Sequence, residues 1–157
     1  MTTFRTRVPH LITALLLLLG LMTAASTQAQ ATPQRLTAGT TICSNSPIPA
    51  GWVVTGSYRN NGCAGAGYIY TILDTSNLTR VTVCSNSPIP ANWVITGSYT
   101  TSTCEGFGYA YTLAKITTQT TTTVCSFSPL PAGWVVTGSF NTGTCAGSNI
   151  AYTIRKL

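Results

Sequence analysis

The sequence predicts an all-β protein of three tandem modules of about 41 residues, each closed by one disulfide and built from about three strands. Three observations predict it. A block recurs three times without insertion, six cysteines recur with it, and the residues between them are strand and turn formers with no helical periodicity.

The N-terminus stands apart from the repeats. Arg5 and Arg7 precede an apolar run from Leu11 to Ala25, and Ala29 and Ala31 follow. A basic start, a short apolar middle and an Ala-x-Ala end are what a bacterial-type signal peptidase reads. The run of about 15 residues, interrupted by Gly20, is shorter than the roughly 20 needed to span a bilayer. Residues 1–31 are therefore expected to be a leader, cut after Ala31 or after Ala29, with no transmembrane segment in the mature chain. Export places the protein in the periplasm or outside the cell.

The repeat defines the remainder. Cys43 to Cys63 reads CSNSPIPAGWVVTGSYRNNGC, Cys84 to Cys104 reads CSNSPIPANWVITGSYTTSTC, and Cys125 to Cys145 reads CSFSPLPAGWVVTGSFNTGTC. The expected domains are repeat 1 over 32–73, repeat 2 over 74–114 and repeat 3 over 115–157. Within a copy, the β-branched residues before the first cysteine, such as Val81 to Cys84, read as a strand. The Ser-Pro-x-Pro segment cannot be an inner strand, because proline lacks the N–H, so it reads as an extended connection with a turn at Ala50-Gly51. Trp52–Tyr58 is the second strand. Strict alternation would put Trp52, Val54, Gly56 and Tyr58 on one face. Asn61-Gly62 is a hairpin-type pair, a glycine-rich loop follows, and Tyr68–Leu73 is the third strand. The copies are expected to pack together, because a single bead of this size is marginal. A closed pseudo-threefold body and a linear stack both fit.

Six cysteines permit 15 pairings. The symmetry favours Cys43–Cys63, Cys84–Cys104 and Cys125–Cys145, since bridges between copies would leave Cys43 and Cys145 as an odd pair. A metal site is disfavoured, because there is no C-x-x-C and no histidine beyond His10 in the leader. No cofactor is expected.

The same inventory argues against an enzyme. After the leader there is no histidine to act as a base, and the only acids, Asp74 and Glu105, occupy non-equivalent places in the repeat. The glycines at 65 and 67 have neither the lysine nor the helix pattern of a phosphate loop. Arg35, Arg59, Arg80, Lys115, Arg155 and Lys156 are scattered, so no nucleic-acid partner is expected.

The recurring aromatics Trp52, Trp93, Trp134, Tyr58, Tyr99 and Phe140 are the candidate ligand-stacking residues. Packing a core is the commoner use of such side chains. A platform for carbohydrate or a cell-surface polymer is the functional use, and three weak sites would gain by avidity. A secreted binding module for glycans or cell-envelope polymers ranks first on these grounds. A structural, surface-matrix repeat protein ranks second. A secreted inhibitor or toxin presenting the Ser44–Ala50 loop ranks third. The sequence does not indicate an oligomeric state.

The intact mass of the exported protein is expected to match a chain beginning at Thr32 or Gln30 with no free thiol. An intact leader, or thiols that alkylate without reduction, would contradict this reading.

Overall fold

The computed structural model describes residues 39–65 and 67–157. The leader and both of its expected cleavage points lie outside them. Nine strands are described: β1 (Thr40–Cys43), β2 (Trp52–Arg59), β3 (Tyr68–Asp74), β4 (Arg80–Cys84), β5 (Trp93–Thr100), β6 (Tyr109–Lys115), β7 (Thr121–Cys125), β8 (Trp134–Asn141) and β9 (Ile150–Lys156). They form three antiparallel sheets in the orders β1-β3-β2, β4-β6-β5 and β7-β9-β8. The third strand of each copy is thus central. Asp74 and Lys115 are the last residues of β3 and β6, pairing with Trp52 and Trp93.

The proline segment ends in the same turn in each copy. Trp52 N–H donates to the Pro49 carbonyl at 3.1 Å, with Gly51 at a φ of +80°. Only residues that tolerate the left-handed region fit there, and copy 2 uses Asn92 at +63°. The β2–β3 connection makes its positive-φ turns at Gly65 and Gly67 instead of the expected Asn61-Gly62. There, the Asn60 side chain accepts the Gly62 N–H at 2.6 Å.

A β-bulge in every second strand corrects the expected alternation. Val54 pairs with Ile72 and Gly56 with Thr71, so Thr55 is the extra residue. Each strand therefore changes face at the bulge. Trp52, Val54 and Ser57 share the side of Ile72 and Tyr70, whereas Val53, Gly56 and Tyr58 share the other. Trp52 and Tyr58 consequently lie on opposite faces, as do Trp93 and Tyr99, and Trp134 and Phe140. The bulge also makes two consecutive valines useful, because Val53 and Val54 are both fully buried, one on each face.

The three disulfides are Cys43–Cys63, Cys84–Cys104 and Cys125–Cys145, with Cα atoms 5.4–5.6 Å apart. Each links the end of a first strand to the loop after a second strand. The core, however, is shared between copies. Val54 and Ile72 of copy 1 form a cluster with Cys84, Cys104 and Ala110 of copy 2, against which Trp52 and Tyr70 also pack. Ile95 and Leu113 of copy 2 meet Cys125, Cys145 and Ala151 of copy 3 in the same way. The second and third disulfides thus each cover the core face of the copy before them.

The stack is linear. β2 contacts β4 and β5 contacts β7, and among the described residues no strand of copy 1 touches one of copy 3. Removing Cys125–Cys145 by double alanine substitution is expected to cost about 3–5 kcal/mol in guanidinium unfolding, combining lost loop closure with a lost core lid. Removing Cys43–Cys63, which covers no preceding copy, is expected to cost visibly less. Equal losses would mean that the lid contributes nothing.

Candidate functional site

Main-chain hydrogen bonds weld the copies together at each junction. Ser57 N–H donates to the Thr103 carbonyl at 3.0 Å, and Glu105 N–H donates to the Ser57 carbonyl at 3.1 Å. The Ser57 hydroxyl donates to the Glu105 carbonyl at 2.9 Å. Copies 2 and 3 repeat the set: Ser98 N–H to the Thr144 carbonyl, Ala146 N–H to the Ser98 carbonyl, and the Ser98 hydroxyl to the Ala146 carbonyl. The free edge of one sheet is thereby closed by the cysteine loop of the next copy, in parallel at Ser57–Cys104 and Ser98–Cys145.

The Ser-x-Ser-Pro loop makes the second tie. The Ser87 hydroxyl accepts Val54 N–H at 2.8 Å and donates to its neighbouring Pro88 carbonyl at 3.1 Å. Ser128 does the same for Ile95 and Pro129. These serines satisfy buried edge-strand N–H groups that no strand reaches, as buried donors require. Gly97 lies at the cysteine-loop contact, where a β-carbon would stand 3.3 Å from Thr144 Cγ2.

Of the six candidate stacking residues, the tryptophans go largely into packing. Trp93 is 2% exposed, and Lys115 Nζ lies 5.9 Å from its ring centre. Trp52 and Trp134 are half-buried, each packed against a cluster that two copies share. The other three rings remain open: Tyr58 is 43% exposed, Tyr99 47% and Phe140 48%. Copy 3 has no described successor, yet its ring is within about five percentage points of the exposure of the others. The three rings therefore lie on a lateral face that stacking does not cover, in a row set by the repeat.

Beside the Phe140 ring is an open groove of about 440 Å³, where copies 2 and 3 meet. The hydroxyl-bearing Thr96, Thr122, Thr123, Thr142 and Thr144 line it together with Arg80. Copy 1 and copy 2 place Thr55, Thr82, Thr101 and Thr103 at the corresponding positions around Tyr99. Sequence reasoning named the rings but not these threonines, whose recurrence at positions 55, 96 and 137 was the available signal. A second groove of about 620 Å³ runs between the proline loops of copies 1 and 2, with Trp52, Trp93, Asp74 and Lys115 among its lining residues.

Both carboxylate side chains among the described residues accept hydrogen bonds, Glu105 across the first junction. Glu105 Oε2 accepts the Arg59 N–H at 2.8 Å, and Asp74 binds the N–H and hydroxyl of Ser76. The Tyr68 hydroxyl, 3.3 Å from the Arg59 guanidinium, is the main cause of a raised Arg59 pKa. No cluster of three metal-ligating side chains occurs among the described residues. No helix of the described residues is long and apolar enough to cross a membrane. No family model matches the chain, and no curated protein or solved structure matches it significantly.

Replacing Ser87 by alanine is expected to lower stability by about 1–3 kcal/mol, because Val54 N–H loses its buried acceptor. Ser46→Ala, at the same position in copy 1, is expected to stay within about 0.5 kcal/mol in dilute solution. Denaturant unfolding of the two variants, compared at one concentration, checks this; equal effects would contradict the junction role of Ser87.

Proposed function

We propose that this is an exported, non-catalytic binding protein that engages a repetitive, hydroxyl-rich polymer, either a glycan or another cell-envelope polymer. The observation that carries this reading is the row of equally exposed rings Tyr58, Tyr99 and Phe140 on the lateral face. A flat ring beside several hydroxyls suits a sugar, which offers an apolar C–H face and polar edges. The groove around Phe140 combines a ring, five threonines and the Arg80 cation, within the size range of ordinary ligand sites. A repeating ligand would meet equivalent contacts on successive copies, so weak single contacts would sum through avidity.

Export is supported by the leader pattern and by three intramolecular disulfides, which suggest an oxidising environment. A non-catalytic role is supported by the absence of histidine after the leader and by the hydrogen bonds that Asp74 and Glu105 already accept from main-chain N–H groups. A structural, surface-matrix role is the second reading, favoured by the linear stack and its main-chain junctions. An inhibitor role gains no such support, because Ser87 and Ser128 tie the proline loops of copies 2 and 3 into the junctions.

Calorimetric titration of the oxidised protein against a panel of glycans and cell-wall polymers tests the proposal. Saturable binding is expected to weaken about 2- to 10-fold for Tyr99→Ala or Phe140→Ala alone, the range of one aromatic contact. The triple variant that also carries Tyr58→Ala is expected to lose far more. Absence of binding across the panel, or binding unchanged in the triple variant, would favour the structural reading.

A further inference from the structure

We infer that the stack continues from one molecule to the next, the tail of copy 3 seating on the head of copy 1 of a second chain. The interface already exists twice within the chain, with the same bonds each time. Among the described residues, the first and third copies carry its two unmatched halves.

The tail is recognisable by what the third copy leaves uncovered. Val54 is 0% exposed and Ile95 1%, but their counterpart Val136 is 43% exposed. Ser57, Gly56, Ser98 and Gly97 are buried, whereas Ser139 and Gly138 are exposed. β8 is consequently an open sheet edge with a valine beside it, a template for another chain.

The head carries the complementary parts. Ser46 corresponds to Ser87 and Ser128, whose hydroxyls accept the Val54 and Ile95 N–H groups. Gly62 and Ala64 correspond to Thr103 and Glu105, which bond Ser57 through backbone atoms alone, so their different side chains do not prevent the same contact. The Ala64 carbonyl already accepts the Asn45 side chain at 3.4 Å, which leaves it a second lone pair. Cys43 and Ser46 are half-buried, while Cys84, Cys125, Ser87 and Ser128 are buried. Cys43–Cys63 would then cover Val136 and Ile154, as the later disulfides cover the core residues before them.

Charge supports the pairing. Asp74 and Lys115 line one groove at the first junction. The second junction brings together the equivalent positions Lys115 and Lys156, and a junction between molecules would restore opposite charge, Lys156 with Asp74. One residue works against tight association. Arg155, on the central strand β9, stands where copies 1 and 2 have Leu73 and Ala114, and a charge covered by a second molecule would have to be desolvated. Because head and tail are different surfaces related by a stacking step, contact between molecules is heterologous and does not stop at a dimer unless it closes into a ring.

Sedimentation velocity over a wide concentration range, on the oxidised protein recovered after export with its own leader, tests the inference. The protein is expected to show reversible, concentration-dependent association into dimers and longer species. Arg155→Leu is expected to tighten association about 10-fold by removing a charge that the contact would have to desolvate. Val136→Lys at the tail and Ser46→Lys at the head are each expected to weaken it at least about 100-fold by placing an unpaired charge in the contact. Mixed together, the two lysine variants retain one intact head and one intact tail, and should form a 1:1 dimer and nothing longer. A wild-type protein and an Arg155→Leu variant that both remain monomeric at every concentration would overturn the inference. So would association that persists unchanged in the folded lysine variants.

Discussion

The structure depends on one arrangement: the disulfides of copies 2 and 3 each cover the core of the copy before them. A three-stranded sheet of about 40 residues cannot cover its own apolar face, and small modules usually need a staple. Here the staple has two uses. It closes a loop within its own copy, and it lies with Ala110 or Ala151 against the Val54–Ile72 or Ile95–Leu113 pair of the previous one. The small alanines permit the approach. The same step brings the cysteine loop alongside the preceding edge strand, so main-chain pairing and core closure occur together.

Much of this was legible in the sequence. The 41-residue period, the strands and the cysteine pairing follow from repetition and from residue types with few alternatives. The bulge was not legible, because Trp-Val-Val-Thr-Gly-Ser-Tyr satisfies simple alternation as well as it satisfies a face change at Thr55. That one residue separates the tryptophans from Tyr58, Tyr99 and Phe140. The junction was hidden for another reason. Its bonds come mainly from backbone atoms of Thr103 and Thr144, and of Glu105 and Ala146, positions that copy 1 fills with Gly62 and Ala64, so no single side chain marks them in all three copies. Only the recurring serines at 57 and 98, and at 87 and 128, reported it, and a serine beside proline or glycine reads equally well as an ordinary turn residue.

Separating the faces divides the aromatic residues by role. The tryptophan side of each sheet is committed to packing, most completely at Trp93, which has a neighbour both before and after its copy. The tyrosine or phenylalanine at the far end of the second strand is left on the flank, where its exposure does not depend on position in the stack. A rigid linear scaffold fixes the spacing of these rings, and a proposed polymer ligand would sense that spacing as well as the chemistry of any one ring. The threonines beside them provide hydroxyls at little cost in strand stability, since threonine favours β-structure.

Backbone-mediated joining also makes length a separable property. Because a junction asks of its partner chiefly a peptide carbonyl, a peptide N–H and one serine hydroxyl, a unit inserted or deleted between two others would meet neighbours that already fit it. The chain can thus be counted out in whole steps, like links of a ruler, with no compensating change elsewhere. Reach and number of flank rings would grow in proportion, while the chemistry of each ring stayed the same.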